Sequence, residues 1–69
     1  MNASIINSMN EILKSNHNII AIFRDYLNNK YIIHKGFNYD GMYIKFTNIE
    51  GDNVLIEAWS IVSIELMTI

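Results

Sequence analysis

The sequence contains no cysteine and no proline, and only three glycines and one tryptophan. Without cysteine there is no disulfide and no thiolate-bound zinc, two staples that commonly hold a chain of this length together. No apolar run reaches the roughly 18 residues that a membrane-spanning helix needs. Arg24, Asp25, Lys45, Glu57 and Glu65 interrupt each one. The N-terminus lacks the basic start and unbroken apolar stretch of a secretory signal, so the acceptor pattern Asn2-Ala3-Ser4 carries no expectation of glycosylation. Together these absences predict a soluble protein of a reducing compartment, the cytoplasm.

What is present is a chain of 69 residues, 51% of them hydrophobic, which the size alone reads as a single domain over residues 1–69. A domain this small hides only roughly 60% of the surface its unfolded form exposes. A good core or self-association must therefore replace the missing staples, and self-association is the expectation. The net charge of −2 argues against coating nucleic acid by bulk electrostatics. The distribution says more than the sum. All five bases, Lys14, Arg24, Lys30, Lys35 and Lys45, precede the acids Glu50, Asp52, Glu57 and Glu65, so the C-terminal third is acidic. Fourteen isoleucines and ten asparagines fit the codon bias of an AT-rich genome, such as that of a low-GC bacterium or its phage.

Ile5, Met9, Ile12 and Leu13 fall at i, i+4, i+7 and i+8, one stripe of a helix over residues 4–16. Asn16-His17-Asn18 supplies a stop, since asparagine tolerates the left-handed conformation. The period then changes to two, and five strands are expected, over residues 19–27, 31–35, 42–47, 54–59 and 61–67. Asn28-Asn29 accepts positive φ at the centre of a tight hairpin. Gly36 marks a bend or bulge in or just after the second strand. Tyr39-Asp40-Gly41 forms a turn before the third, which places Met42, Ile44 and Phe46 on one face and Tyr43 and Lys45 on the other. Only Ser60 separates the last two strands, the spacing of a sharp corner. The last strand, with Val62, Ile64 and Leu66 on one side and only Glu65 to guard its edge, invites pairing with another chain.

Catalytic and metal chemistry find little support. His17 and His34 lie on different elements, and a metal site would need carboxylates such as Asp25 or Glu57 to converge on them. Ser60, His34 and Asp40 could be written as a triad, but no serine stands in a nucleophile elbow. The three glycines are isolated at turns and form no phosphate-cradling loop. No enzyme activity and no cofactor are expected. Phe37, Tyr39 and Tyr43 interleave with Lys35 and Lys45, a mixture of stacking faces and cations able to hold single-stranded nucleic acid; the bland alternative is aromatics filling a small core. Trp59, at the corner, either packs or projects into a subunit contact.

The N-terminal helix, the Tyr39-Asp40 turn followed by Tyr43-Ile44-Lys45-Phe46, the Asn48-Ile49-Glu50-Gly51 loop and the one-residue corner before Ser60-Ile61-Val62-Ser63 together resemble the Sm-like fold, in its bacterial Hfq branch. Glu11 to Asn16 resembles the end of that family's helix, and Ile20-Ala21-Ile22-Phe23 its first strand. The family's Tyr-Lys-His-Ala run, which grips uridine-rich RNA around a ring pore, is replaced here by Glu57-Ala58-Trp59-Ser60. The helix glutamine that the family uses on RNA corresponds to Ile6. The first hairpin is longer by about two residues than the family's, and Gly36 stands nearer the Tyr-Asp turn. The resemblance implies a ring, usually of six subunits, closed by the fourth strand of one chain on the fifth of the next.

The expected fold class is therefore α+β, mainly β: a helix followed by a five-stranded, antiparallel, strongly bent SH3-like or Sm-like small barrel. The expected function is a non-catalytic homo-oligomer that binds single-stranded RNA, as a riboregulator does, through Arg24, Lys30, Lys35, Phe37, Tyr39 and Lys45. Val54, Ile56, Trp59, Val62, Ile64 and Leu66 form the expected contact between subunits. The alternative is a small interaction module of a phage or mobile element, with no nucleic acid ligand, that binds a host protein through the acidic C-terminal part.

Overall fold

The computed structural model describes residues 2–69. Helix α1 spans Ala3–Ser15. Asn2 caps it, its Oδ1 accepting the Ser4 N–H at 2.7 Å. The buried face is Ile6, Asn10 and Leu13, while Ile5 is 44% exposed. The expected stripe was therefore turned by about one residue, because the centre of the face holds an asparagine that polarity alone assigns to the outside. The helix ends without a left-handed residue: Asn16 is extended, at φ −133°, and its Nδ2 donates to the Ile12 carbonyl at 2.9 Å.

Among the described residues six strands follow where five were expected: β1 (Ile19–Asp25), β2 (Lys30–Ile33), β3 (Asn38–Tyr39), β4 (Tyr43–Thr47), β5 (Asn53–Glu57) and β6 (Ile61–Thr68). The additional strand arises at Gly36, whose φ of +92° breaks the ladder between Ile33 and Asn38. A Cβ there would also meet Asn10 Oδ1 and Lys14 Cγ at 3.0 Å, so the bend is where the chain runs tight under α1. The strands pair in the orders β2-β1-β6 and β3-β4-β5, all antiparallel. Among the described residues they make two three-stranded sheets, with no ladder closing one sheet onto the other.

Strand β1 stops at Asp25, two residues before its expected end, because that side chain organises the hairpin. Its carboxylate accepts from the backbone N–H of Leu27 (3.0 Å) and Asn29 (2.8 Å), from Asn29 Nδ2 (3.0 Å) and from the Tyr31 hydroxyl (3.1 Å). Asn28 alone takes a positive φ, +66°, and the connection spans residues 26–29, so the expected turn centred on two left-handed asparagines is not formed. At the other end of the chain, a 3₁₀ turn (Ala58–Ser60) makes the corner between β5 and β6. A bulge at the start of β6, where the register jumps from Arg24 opposite Ser63 to Asp25 opposite Ile61, leaves Val62 61% exposed.

The two sheets and α1 share one core. Ile6 and Leu13 come from the helix, Ala21, Phe23, Ile33 and Ile61 from one sheet, Ile44, Phe46 and Ile56 from the other, with Phe37 and Ala58 from the bend and the corner. Phe23 and Phe37 meet edge to face at 5.5 Å. Met42 precedes β4 and is 67% exposed, so it does not join Ile44 and Phe46 on the inner face as expected. Among the described residues no helix is long and apolar enough to cross a membrane.

Candidate nucleic-acid interface

Folding gathers bases that the sequence scatters. The last turn of α1 crosses the bend at Gly36, and the β4–β5 hairpin rises beside it, leaving a cleft of about 520 Å³. Lys14 lines it from the helix, His34 and Lys35 from the segment after β2, and Lys45 from β4, with Thr47 and Asn48 at the hairpin. Among the described residues the lining holds three lysines and no carboxylate. His34 adds a ring whose Nε2 is buried with no hydrogen-bond partner among the described residues. Lysines lining one groove of this shape attract the phosphates of an extended backbone.

The helix reaches this position through Asn10. Its Nδ2 donates to the Phe37 carbonyl and its Oδ1 accepts the Phe37 N–H, both at 2.8 Å, so one buried amide reproduces a strand-like pair of bonds to the bend. The hairpin wall is fixed by a turn around Asn48, and the β3–β4 connection outside the cleft by a turn around Asp40. Asn48 Oδ1 accepts from the Glu50 and Asp52 N–H groups at 3.0 and 2.9 Å. Asp40 Oδ1 accepts from Met42 and Tyr43 at 2.9 and 2.7 Å. The Tyr43 and Met42 N–H groups hold the Asp40 carboxyl below the usual carboxylate range, with a smaller contribution from the Lys45 charge.

Of the six residues nominated for RNA, the structure brings three to this cleft and separates the others. Lys35, Phe37 and Lys45 line it. Phe37 is 5% exposed and packed on Phe23, so it is a wall and not a stacking face. Tyr39 is half-buried on β3 beside Lys45, its hydroxyl donating to the Gly41 carbonyl at 3.4 Å. Arg24 and Lys30 oppose each other across β1 and β2 and do not line the cleft. Lys14 and His34 were missed. The signal for Lys14 was its place in the last helical turn, but nothing in the sequence says that this turn lies over Gly36.

The nominated subunit contact also divides. Ile56 is 3% exposed and belongs to the core, where it faces Ile44 across β4 and β5. Val54 and Ile64 pack against the same core while remaining half-buried. Val62, Leu66 and Trp59 stay at the surface, and Leu55, not nominated, is 58% exposed on the outer face of β5. Ile6, at the place of the family's RNA-contacting glutamine, is fully buried. His17 and His34 share a depression with Ile20, Ile32 and Ile69, and no carboxylate lines it. Ser60 Oγ donates to the Glu57 carbonyl at 2.7 Å, and Asp40 caps its own turn, so the written triad is not assembled.

In comparisons with known proteins, the chain matches no family model, no curated protein and no solved structure.

Proposed function

We propose that this protein is a divergent Sm-like, Hfq-like, non-catalytic homo-oligomer that holds single-stranded RNA. In this reading β2 and β3 are the two arms of one strand bent at Gly36, and the two sheets are the halves of a small, strongly bent barrel. The observation that carries the RNA reading is the cleft with Lys14, Lys35, Lys45 and His34 and no acid in its lining. Self-association is supported by the free edges of β5 and β6, each the last strand of its sheet, with Leu55, Val62 and Leu66 exposed along them. Antiparallel pairing of β5 on one chain with β6 on the next satisfies both edges and buries those side chains, and repeated around a ring it closes.

Fluorescence anisotropy of a labelled single-stranded RNA, titrated over a range of salt concentrations, tests the reading. Binding should weaken linearly on logarithmic axes, and each of Lys35→Ala and Lys45→Ala should reduce the salt slope by about 0.7. Arg24→Ala, outside the cleft, should leave that slope nearly unchanged. Absence of binding at low salt, or equal loss from all three substitutions, counts against the cleft.

A further inference from the structure

The surface opposite in sign to the basic cleft lies at the corner between β5 and β6. A pocket of about 350 Å³ is lined there by Gly41, Met42, Tyr43, Glu57 and Trp59. Tyr43 and Glu57 are direct partners across β4 and β5, which sets a phenol ring beside a carboxylate. Among the described residues Glu57 is the only charged one in the lining. Asp40, bound to the Met42 and Tyr43 N–H groups, lies in the adjoining turn and lines the neighbouring depression with Lys45, not this pocket. Lys45, the next base along that face of β4, interacts with Asp40 and lines the basic cleft instead of this pocket.

The pocket is also held in shape. Trp59 is 67% exposed, an unusual place for a chain's single indole, yet it is braced by Tyr26, whose ring stacks on it at 5.7 Å and 24°. The 3₁₀ turn that carries it is pinned from both sides, by the Ala58 N–H to the Met42 carbonyl at 2.9 Å and the Tyr26 N–H to the Ser60 carbonyl at 3.0 Å. Two aromatic faces, a thioether and one carboxylate around a small, pre-organised space form a receptor for a cation.

We propose that this corner is a binding site for an arginine side chain presented by a basic segment of a partner protein. Arginine fits better than lysine because a planar guanidinium stacks on an indole or phenol face while its N–H fork pairs with the Glu57 carboxylate. A phosphate-bearing ligand is disfavoured by the same carboxylate. The site is independent of the RNA reading: its lining shares no residue with the basic cleft.

Trp59 is the only tryptophan, so its fluorescence reports on the pocket without a label. The probe is a blocked pentapeptide with one arginine among glycines, compared with the same peptide carrying citrulline, an uncharged isostere, and with a short oligouridylate. Saturable change in Trp59 emission with the arginine peptide, at about millimolar dissociation constant, is expected. Citrulline should bind about tenfold or more weakly, and Glu57→Gln should weaken the arginine peptide about tenfold. The Lys35→Ala, Lys45→Ala double variant, with its basic cleft disabled, should bind the arginine peptide as the parent does. Equal response to arginine and citrulline, or an unaltered affinity in Glu57→Gln, overturns the proposal. A response to oligouridylate alone overturns it in favour of a base-stacking site.

Discussion

Asp25 shows how much one side chain can organise. Burial pushes its carboxyl group up, but the hydrogen bonds from Asn29, Tyr31 and Leu27 outweigh that and hold it below the usual carboxylate range. Burial likewise raises the Tyr31 hydroxyl, and its bond to Asp25 and the carboxylate charge raise it further, so the phenol stays protonated and donating. A carboxyl group whose folded pKa is depressed adds stability that is complete above its unfolded pKa and is lost as pH falls through the folded value. Acid unfolding followed by circular dichroism should therefore steepen below the ordinary carboxylate pKa. Asp25→Asn should be less stable at neutral pH and less sensitive to pH in that window. Equal pH dependence in the two proteins counts against this assignment. Asp40, also depressed, acts in the same window and remains in the variant. The place of the turn at Asn28-Asn29 was legible from sequence, but the role of Asp25 was not, because an acid inside an alternating strand reads as a solvent-facing residue.

Between elements, the joint that matters is α1 on the Gly36 bend. Asn10 is 8% exposed and bonds both backbone groups of Phe37. Asn10→Ala leaves a buried N–H and a buried carbonyl without partners. The expected cost is about 2–4 kcal/mol, from roughly 1–3 kcal/mol for each orphaned group with partial relief by water. Urea unfolding measures it. A loss below about 0.5 kcal/mol, the range of ordinary surface substitutions, means that the clamp is dispensable. Because the same joint sets Lys14 against Gly36 in the cleft lining, the variant should also weaken RNA binding if the cleft holds RNA. The helix itself was readable from its period, but its inward face was not, since a buried asparagine contradicts the rule that polar residues face out. The bend was readable from Gly36, whereas β3, at Asn38–Tyr39, falls between the expected second and third strands and depended on how tightly α1 presses on the bend.

For the whole molecule, the unpaired edges of β5 and β6 and their apolar side chains predict an assembly larger than one chain. Leu55→Lys with Val62→Lys should give a monomer by sedimentation while the circular dichroism stays that of the parent, because both positions are more than half exposed in the single chain. A parent protein that sediments as a monomer at high concentration removes the ring from the proposal, and the basic cleft would then act within one subunit.

The sequence by itself determined a mainly β chain with one leading helix, the places of the hairpin turns at Asn28-Asn29 and Asp40-Gly41, and the separation of a basic first part from an acidic end. These follow from period, turn chemistry and charge order, which are local properties. Which bases meet was decided only in three dimensions. Lys14 joins Lys35 and Lys45 because Asn10 anchors the helix across the bend, while Arg24 and Lys30, equally basic in the sequence, are carried to the other sheet. The corner pocket has the same origin. Tyr43 lies far along the chain from Glu57 and Trp59, and only the antiparallel register of β4 with β5 and the 3₁₀ turn after it bring them to one space.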